Sequence, residues 1–387
     1  MEYLTHIITT LSEHYGWAGI ALVVLMFGAF IAQICRYVAY ARIAGFRLSR
    51  RTKVREQEPP ISVIVPIFSE DAEYLDSGLT ALLTQEYYDF EVVAVYIGND
   101  DNFYADLKHL HNGYPHLTTT QIKFSPHYPI SNKTALNVGI KSAHNECMII
   151  TSTEAQPSSE RWLSLMAKGF MYGDIVLGYS NIKFKGGLTN LFFRKYGFTE
   201  SLAWITSSIG GETYGATRHN YGFTKSLYFA ARGFNHLSLN AGEDDLFIAS
   251  ISTDENTSVV LSPRARCEEH CWGGIRWYAD RARDIAQTRK YYSAYARNYT
   301  NSELCSRFVF TLSAIALLAW MPIELRILAA TLVVLRYAIV SFSLMRAANR
   351  IGERKIAAWG LLFDLIEPIA RIFLHNTRRH RNNNEWR

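Results

Sequence analysis

Three consecutive carboxylates, Glu243, Asp244 and Asp245, stand in the string AGEDDLF directly before an apolar helical start. Acids are favoured at a helix N-terminus by its partial positive charge, and one held there can also work as a general base. Far upstream, residues 61–71 read ISVIVPIFSED. This β-branched run ends at Pro66 in a short polar turn, the form taken by a buried parallel strand that stops at a ligand crevice. The string Cys267-Glu268-Glu269-His270-Cys271 has metal-binding residue types. A closed structural zinc site needs four ligands, usually split between two separated pairs, and no second pair follows, so no metal is expected there.

The elements around these residues alternate. After Pro59-Pro60 come a strand at 61–66, an amphipathic helix over 72–85, a strand over 90–101, a helix over 103–112 and a strand over 118–124; residues 133–157 continue the series. Such alternation implies an α/β fold, a mostly parallel sheet with helices on both faces. The 387 residues allow one large domain plus membrane segments. Net charge is only +5 and the basic residues are local, which makes a membrane surface or anionic phosphates the expected partners and excludes nucleic acid. Cys35, Cys147, Cys267, Cys271 and Cys305 form no regular framework, so reduced thiols and a cytosolic main domain are expected.

Residues 17–35 carry no charge and only Gln33 as a strongly polar group, and about 20 such residues span a bilayer core. Residues 1–16 lack Lys and Arg, unlike a signal peptide. Seven basic residues between Arg36 and Arg55 then place the following chain in the cytoplasm. A second apolar region, broken at Pro322 and Glu324, reads as a helical hairpin with limbs at 308–323 and 325–345. Arg336 lies near the middle of the second limb, where it would meet a lipid-linked phosphate, snorkel, or find an intramembrane partner. Residues 356–374 suit an interfacial helix better than another span. The expected organisation is an anchor at 1–40, a basic linker at 41–59, a domain at 60–300, a transmembrane hairpin at 305–346, and an interfacial helix with a basic tail at 347–387.

The order of motifs resembles that of family 2 glycosyltransferases. ISVIVP with its acidic turn is followed by a strand ending at Gly98, then Lys133-x-Ala135-Leu136-Asn137-x-Gly139, then Thr151-Ser152-Thr153-Glu154, then Gly242-Glu243-Asp244-Asp245. The resemblance covers about residues 60–290. It implies a GT-A fold, a Rossmann-like nucleotide-binding half joined to an acceptor half, with transmembrane helices near both ends.

The resemblance also implies site residues. Pro66, Phe68 and Glu70 would frame the donor nucleotide, Glu70 reading equally as a helix-cap acid. The family's paired acids after the second strand are replaced by Tyr96 and Ile97; Tyr96 would contact the base, and Asp100 or Asp101 would supply a displaced carboxylate. Lys133 would hold diphosphate or balance a nearby acid. The family's Asp-x-Asp metal motif reads Ser152-Thr153-Glu154, leaving Glu154 as the metal-facing acid for Mg2+ or Mn2+, weakly held without nucleotide. Asp244, with Glu243 beside it, matches the catalytic base. Asn220 matches an acceptor-loop asparagine, with Arg218 and His219 reading equally as contacts to phosphate or sugar hydroxyls and as surface residues. Arg276 and Trp277 remain from a Gln-x-x-Arg-Trp motif whose glutamine is Gly273 here, or alternatively the motif falls at 280–284.

These residues imply an inverting, membrane-bound glycosyltransferase of the bacterial inner membrane. It would move a hexose from a UDP-sugar or other nucleotide-sugar donor to a lipid-linked or glycan acceptor for envelope polysaccharide, beside envelope-assembly partners. Two alternatives stand: a degenerate nucleotide- or glycan-binding scaffold, since three motifs have drifted, and a processive polysaccharide synthase, which the lost glutamine and few spans disfavour.

Overall fold

The computed structural model describes residues 2–124, 131–234, 239, 241–271, 274–353, 356, 363, 364, 366 and 367; side chains are described from residue 13 onward, except at Arg276 and Trp277. The chain divides into two compact units. One comprises Met1–Gly45, Ser293–Asn349 and the described part of Arg354–Phe373; the other comprises Phe46–Tyr292 with Arg350–Glu353. The first unit begins with α1 (Glu2–Arg42), kinked at Gly16, whose φ of 71° is left-handed.

Among the described residues, the second unit is built on ten strands: β1 (Ile61–Ile67), β2 (Phe90–Ile97), β3 (Leu117–Ile122), β4 (Cys147–Ile150), β5 (Ala155–Pro157), β6 (Ile175–Leu177), β7 (Ser180–Ile182), β8 (Tyr221–Thr224), β9 (Thr257–Val259) and β10 (Cys267–Glu269). Its helices are α2 (Thr80–Leu83), α3 (Asp101–Leu110), α4 (Asn132–Ser142), α5 (Trp162–Phe170), α6 (Leu188–Ile209), α7 (Lys225–Ala230), α8 (Leu246–Ile251) and α9 (Ile275–Arg289). Seven strands form one sheet in the order β3-β2-β1-β4-β8-β6-β9. It is parallel except where β8 runs against β4 and β6. A smaller sheet, β5-β10-β7, lies beside it. Every residue of β1 is buried, so its sequence is a continuous β-branched run rather than an alternation.

Two features of this sheet position the site. β2 and β4 flank β1 on opposite sides, so the chain reverses direction of winding there, and in open sheets of this kind ligands bind beyond the carboxyl ends of the strands at such a switch point. The antiparallel register then pairs Ile150 at the end of β4 with Tyr221 at the start of β8. Residues after β4 and residues before β8 are therefore neighbours, although about seventy positions separate them.

The first unit continues with α10 (Ala294–Trp320) and α11 (Ile323–Ile351). Among the described residues, three helices are long and apolar enough to cross a membrane: Glu13–Gly45, Ala294–Trp320 and Ile323–Ile351. The first hairpin limb, expected from 308, begins at Ala294 because Ser293 caps it by accepting the Ala296 N–H and the polar stretch simply continues the helix. Arg336 has protein partners within this unit: it pairs with Asp364 at 2.7 Å and donates from Nε to Gln33 at 2.5 Å. Arg307 pairs with Glu303 and with Glu367 at 3.1 Å. Asp364 and Glu367 are thus buried against basic residues, while the rest of the expected interfacial helix and the basic tail lie outside the described residues.

Candidate active site

The β4–β8 register brings His219 onto the turn that follows β4. Its Nδ1 lies 2.6 Å from Ser152 Oγ, and the Glu154 N–H donates to the same hydroxyl at 3.2 Å. Its Nε2 faces two carboxylates, Glu269 at 3.7 Å and Glu154 at 4.0 Å. Burial pushes the imidazole below its usual value, against the pull of Glu269 and Glu154, so it is neutral near pH 7. These contacts agree on one tautomer, with the Ser152 hydroxyl donating to Nδ1 and the proton on Nε2 facing the acids. Glu269 is fully engaged: it accepts from Ser180 Oγ and from Arg281, each at 2.8 Å. Burial alone would raise its carboxyl, but Arg281, His219 and Ser180 outweigh burial and hold it below the usual range. Glu154 differs, with a side chain 58% exposed.

The acidic triplet sits at the start of α8. Gly242 precedes it with φ 112°, a left-handed conformation that favours glycine. The three acids then do different work. Asp245 caps α8 by accepting the Leu246 N–H at 2.6 Å, and it accepts the Tyr292 hydroxyl at 2.8 Å. Glu243 is buried and accepts from the Asn132 amide at 2.6 Å. Asp244, 17% exposed, faces Arg218 at 3.9 Å, and Arg218 donates to Asp284 at 3.0 Å. Burial, with Asp245 and Glu243 alongside, pushes the Asp244 carboxyl up to about 7, while Arg218 pulls the other way. Lys133 is buried, donates to the Leu239 carbonyl at 3.0 Å, and is lowered by burial against the attraction of Glu243, Asp245 and Asp244. It therefore takes the acid-balancing alternative. The adjacent pair Arg218-His219 connects Asp244 on one side to Glu154 on the other.

The donor residues expected at the ends of β1 and β2 are only partly presented. Phe68 is 43% exposed and Glu70 is exposed, but Pro66 is buried within β1. Tyr96 was expected against the nucleotide base; its ring is instead fully buried, packed on Phe103 with centroids 5.0 Å apart. Its hydroxyl donates to Glu70 at 2.6 Å and accepts from the Asp100 N–H at 3.1 Å. Burial, then the bond to Glu70, push that hydroxyl up to about 12. Asp100 is used as the cap of α3, and Asp101 pairs with Lys123 at 2.8 Å.

Asn220 also departs from its expected acceptor contact. Both amide protons go to buried carbonyls, of Tyr179 at 2.9 Å and Ala265 at 2.8 Å, and its oxygen accepts from the Trp162 indole at 3.0 Å. It is a strut between β8 and the core. Arg276 and Trp277 fall in the first turn of α9, and their side chains lie outside those described. Sequence reasoning did not assign Glu269, Arg281, Asp284 or Asn132. The first three lay in strings weighed for other purposes, the Cys-Glu-Glu-His-Cys run and the alternative motif at 280–284.

Among the described residues, no group of three or more His, Cys, Asp and Glu is arranged to hold a metal. The exposed Glu154 carboxylate suits a divalent ion whose remaining ligands are water and a ligand's diphosphate, and does not suit a resident metal.

No protein-family model matches the sequence, and no curated protein matches it significantly. Among solved structures, the chain is similar to the mannosyltransferase PcManGT from Pyrobaculum calidifontis, solved in complex with GDP-Man and Mn2+, with a TM-score of 0.56 and 18% identity over 87% of this chain and 98% of that one. It also aligns with residues 1–349 of S. aureus TarS, at a TM-score of 0.42 and 15% identity over 82% of this chain and 91% of that one. With the sheet order above, the likeness to the mannosyltransferase gives this chain a glycosyltransferase fold.

Proposed function

We propose that this protein is a membrane-bound inverting glycosyltransferase of family 2 type, using a nucleotide-diphosphate hexose and a lipid-linked or glycan acceptor in envelope polysaccharide synthesis. Its active site faces the cytoplasm at the inner membrane. The observation that carries the reading is the Arg218-His219 pair, which links the exposed Glu154 to the Asp244 carboxylate at the end of a nucleotide-binding type of sheet.

In the reaction, Asp244 accepts the proton of the acceptor hydroxyl as its oxygen attacks the anomeric carbon. The bond from that carbon to the diphosphate breaks on the opposite face, and the diphosphate leaves with the bonding electrons. Glu154 would hold Mg2+ or Mn2+, which neutralises charge developing on the leaving diphosphate. Ser152 and His219 hold the Glu154 turn in place. Lys133 offsets the charge of the acid triplet, keeping the base usable. UDP-hexose is the first donor to test, and the GDP-Man bound by the mannosyltransferase makes a guanine nucleotide the second.

The test is to incubate membranes containing the full chain with labelled UDP- and GDP-sugars. Transfer is expected with one donor, should fall at least about a hundredfold in Asp244→Asn, and should need a divalent ion. Nucleotide affinity should tighten with Mn2+ in the wild type and not in Glu154→Ala. Nucleotide binding without transfer from any donor would instead favour the scaffold reading.

A further inference from the structure

We infer that Arg218 is a positioning residue for the Asp244 base and that Asp284 sets how closely it approaches that carboxylate; this deepens the proposed function and rests on it. A guanidinium can grip a carboxylate with two parallel hydrogen bonds. Arg218 does not do so here. One of its terminal nitrogens, Nη2, donates to Asp284 at 3.0 Å, and its Nε stands 3.9 Å from Asp244, beyond hydrogen-bond reach. Asp244 is thus held in place by charge while its oxygen remains open to take a proton. A closer pairing would occupy that oxygen and weaken the base.

Asp284 is well placed for this restraint. It lies on α9 one turn from Arg281, which grips Glu269. The same helix face therefore anchors both carboxylate networks, the one behind Glu154 and the one behind Asp244. The other groups facing Asp244 are Glu243 and Asp245 on its own turn, Lys133 on α4, Tyr221 on β8, and Tyr292 just beyond α9 through its bond to Asp245. The acids, ionised, raise the Asp244 carboxyl, and the nearby Arg218 is their counterweight.

The two partners of Arg218 give opposite expectations. In Arg218→Gln the counterweight is lost, and the acid limb of the kcat–pH profile should move up by about one unit. In Asp284→Asn the guanidinium is released toward Asp244, and the limb should move down by a similar amount. Arg218→Lys should recover part of the wild-type position. The measurement is kcat and KM against pH for sugar transfer by the purified full-length protein, with Asp244→Asn alongside. A fall in kcat with neither limb moving, or both limbs moving the same way, overturns the inference. Full turnover in Asp244→Asn would instead remove the base reading itself. Should Arg218→Gln fail to fold, Asp284→Asn, at a side chain 32% exposed, decides the matter alone.

Discussion

Replacing Asp244 by asparagine should change how stability depends on pH, not turnover alone. Its carboxyl titrates near 7 in the folded protein, because it is buried beside Asp245 and Glu243, against about 3.9 in an unfolded chain. Between those values the folded protein holds a proton that the unfolded chain has lost. The stabilisation is fully present below about pH 4 and is lost as pH rises through 7. Three units at about 1.4 kcal/mol each bound the effect at roughly 4 kcal/mol. Relaxation and water entry around a side chain 17% exposed leave an expected loss of about 2 kcal/mol. Asparagine keeps the shape without the titration, so the variant should gain on the wild type by about that amount between pH 4 and pH 7. Thermal unfolding of the detergent-solubilised protein across this range reads the difference. Parallel curves for the two proteins would refute the assignment of a raised carboxyl at this position.

Two further outcomes follow from the packing. A methyl group at Gly98 would collide with the Tyr96 ring and hydroxyl, so Gly98→Ala should free Tyr96 from Glu70 and cost about 1–3 kcal/mol, read by thermal unfolding; no loss would mean the ring yields freely. Asp364→Ala should strand Arg336 and cost about 3–5 kcal/mol, seen as a lost monodisperse peak, while Arg336→Met with Asp364→Leu should restore it; failure of the double replacement would assign the pair a role beyond charge balance.

Much of the framework was readable from local pattern. The run 61–67 announced a doubly covered strand because burial on both faces removes alternation. The acids at 243–245 announced a helix start because their charge suits that end, and Asp245 does cap α8. What escaped depends on register. Ser152 and His219 meet because β8 runs against β4, a pairing no local pattern encodes. Tyr96 read as a ligand contact because it stands where acids usually stand, yet its position in the strand turns the ring into the core. Asn220 likewise matched a motif, while burial commits its amide to the backbone of distant segments. Arg336 could be recognised as costly in an apolar helix, but its partners, Gln33 and Asp364, come from far along the chain.

The buried Arg336–Gln33 contact also sets a distance along the helices. Gly19 on α1 approaches Met321 and Leu325 at the hairpin turn, and Gln33, farther along α1, meets Arg336. At 1.5 Å per residue the helix rises about 21 Å between those two levels. A typical hydrocarbon layer is about 30 Å deep. If these helices cross a bilayer, as the proposed function requires, lipid around them would dimple by several ångströms to keep its tails off Arg336 and Asp364, and thinner bilayers would meet the protein with less distortion.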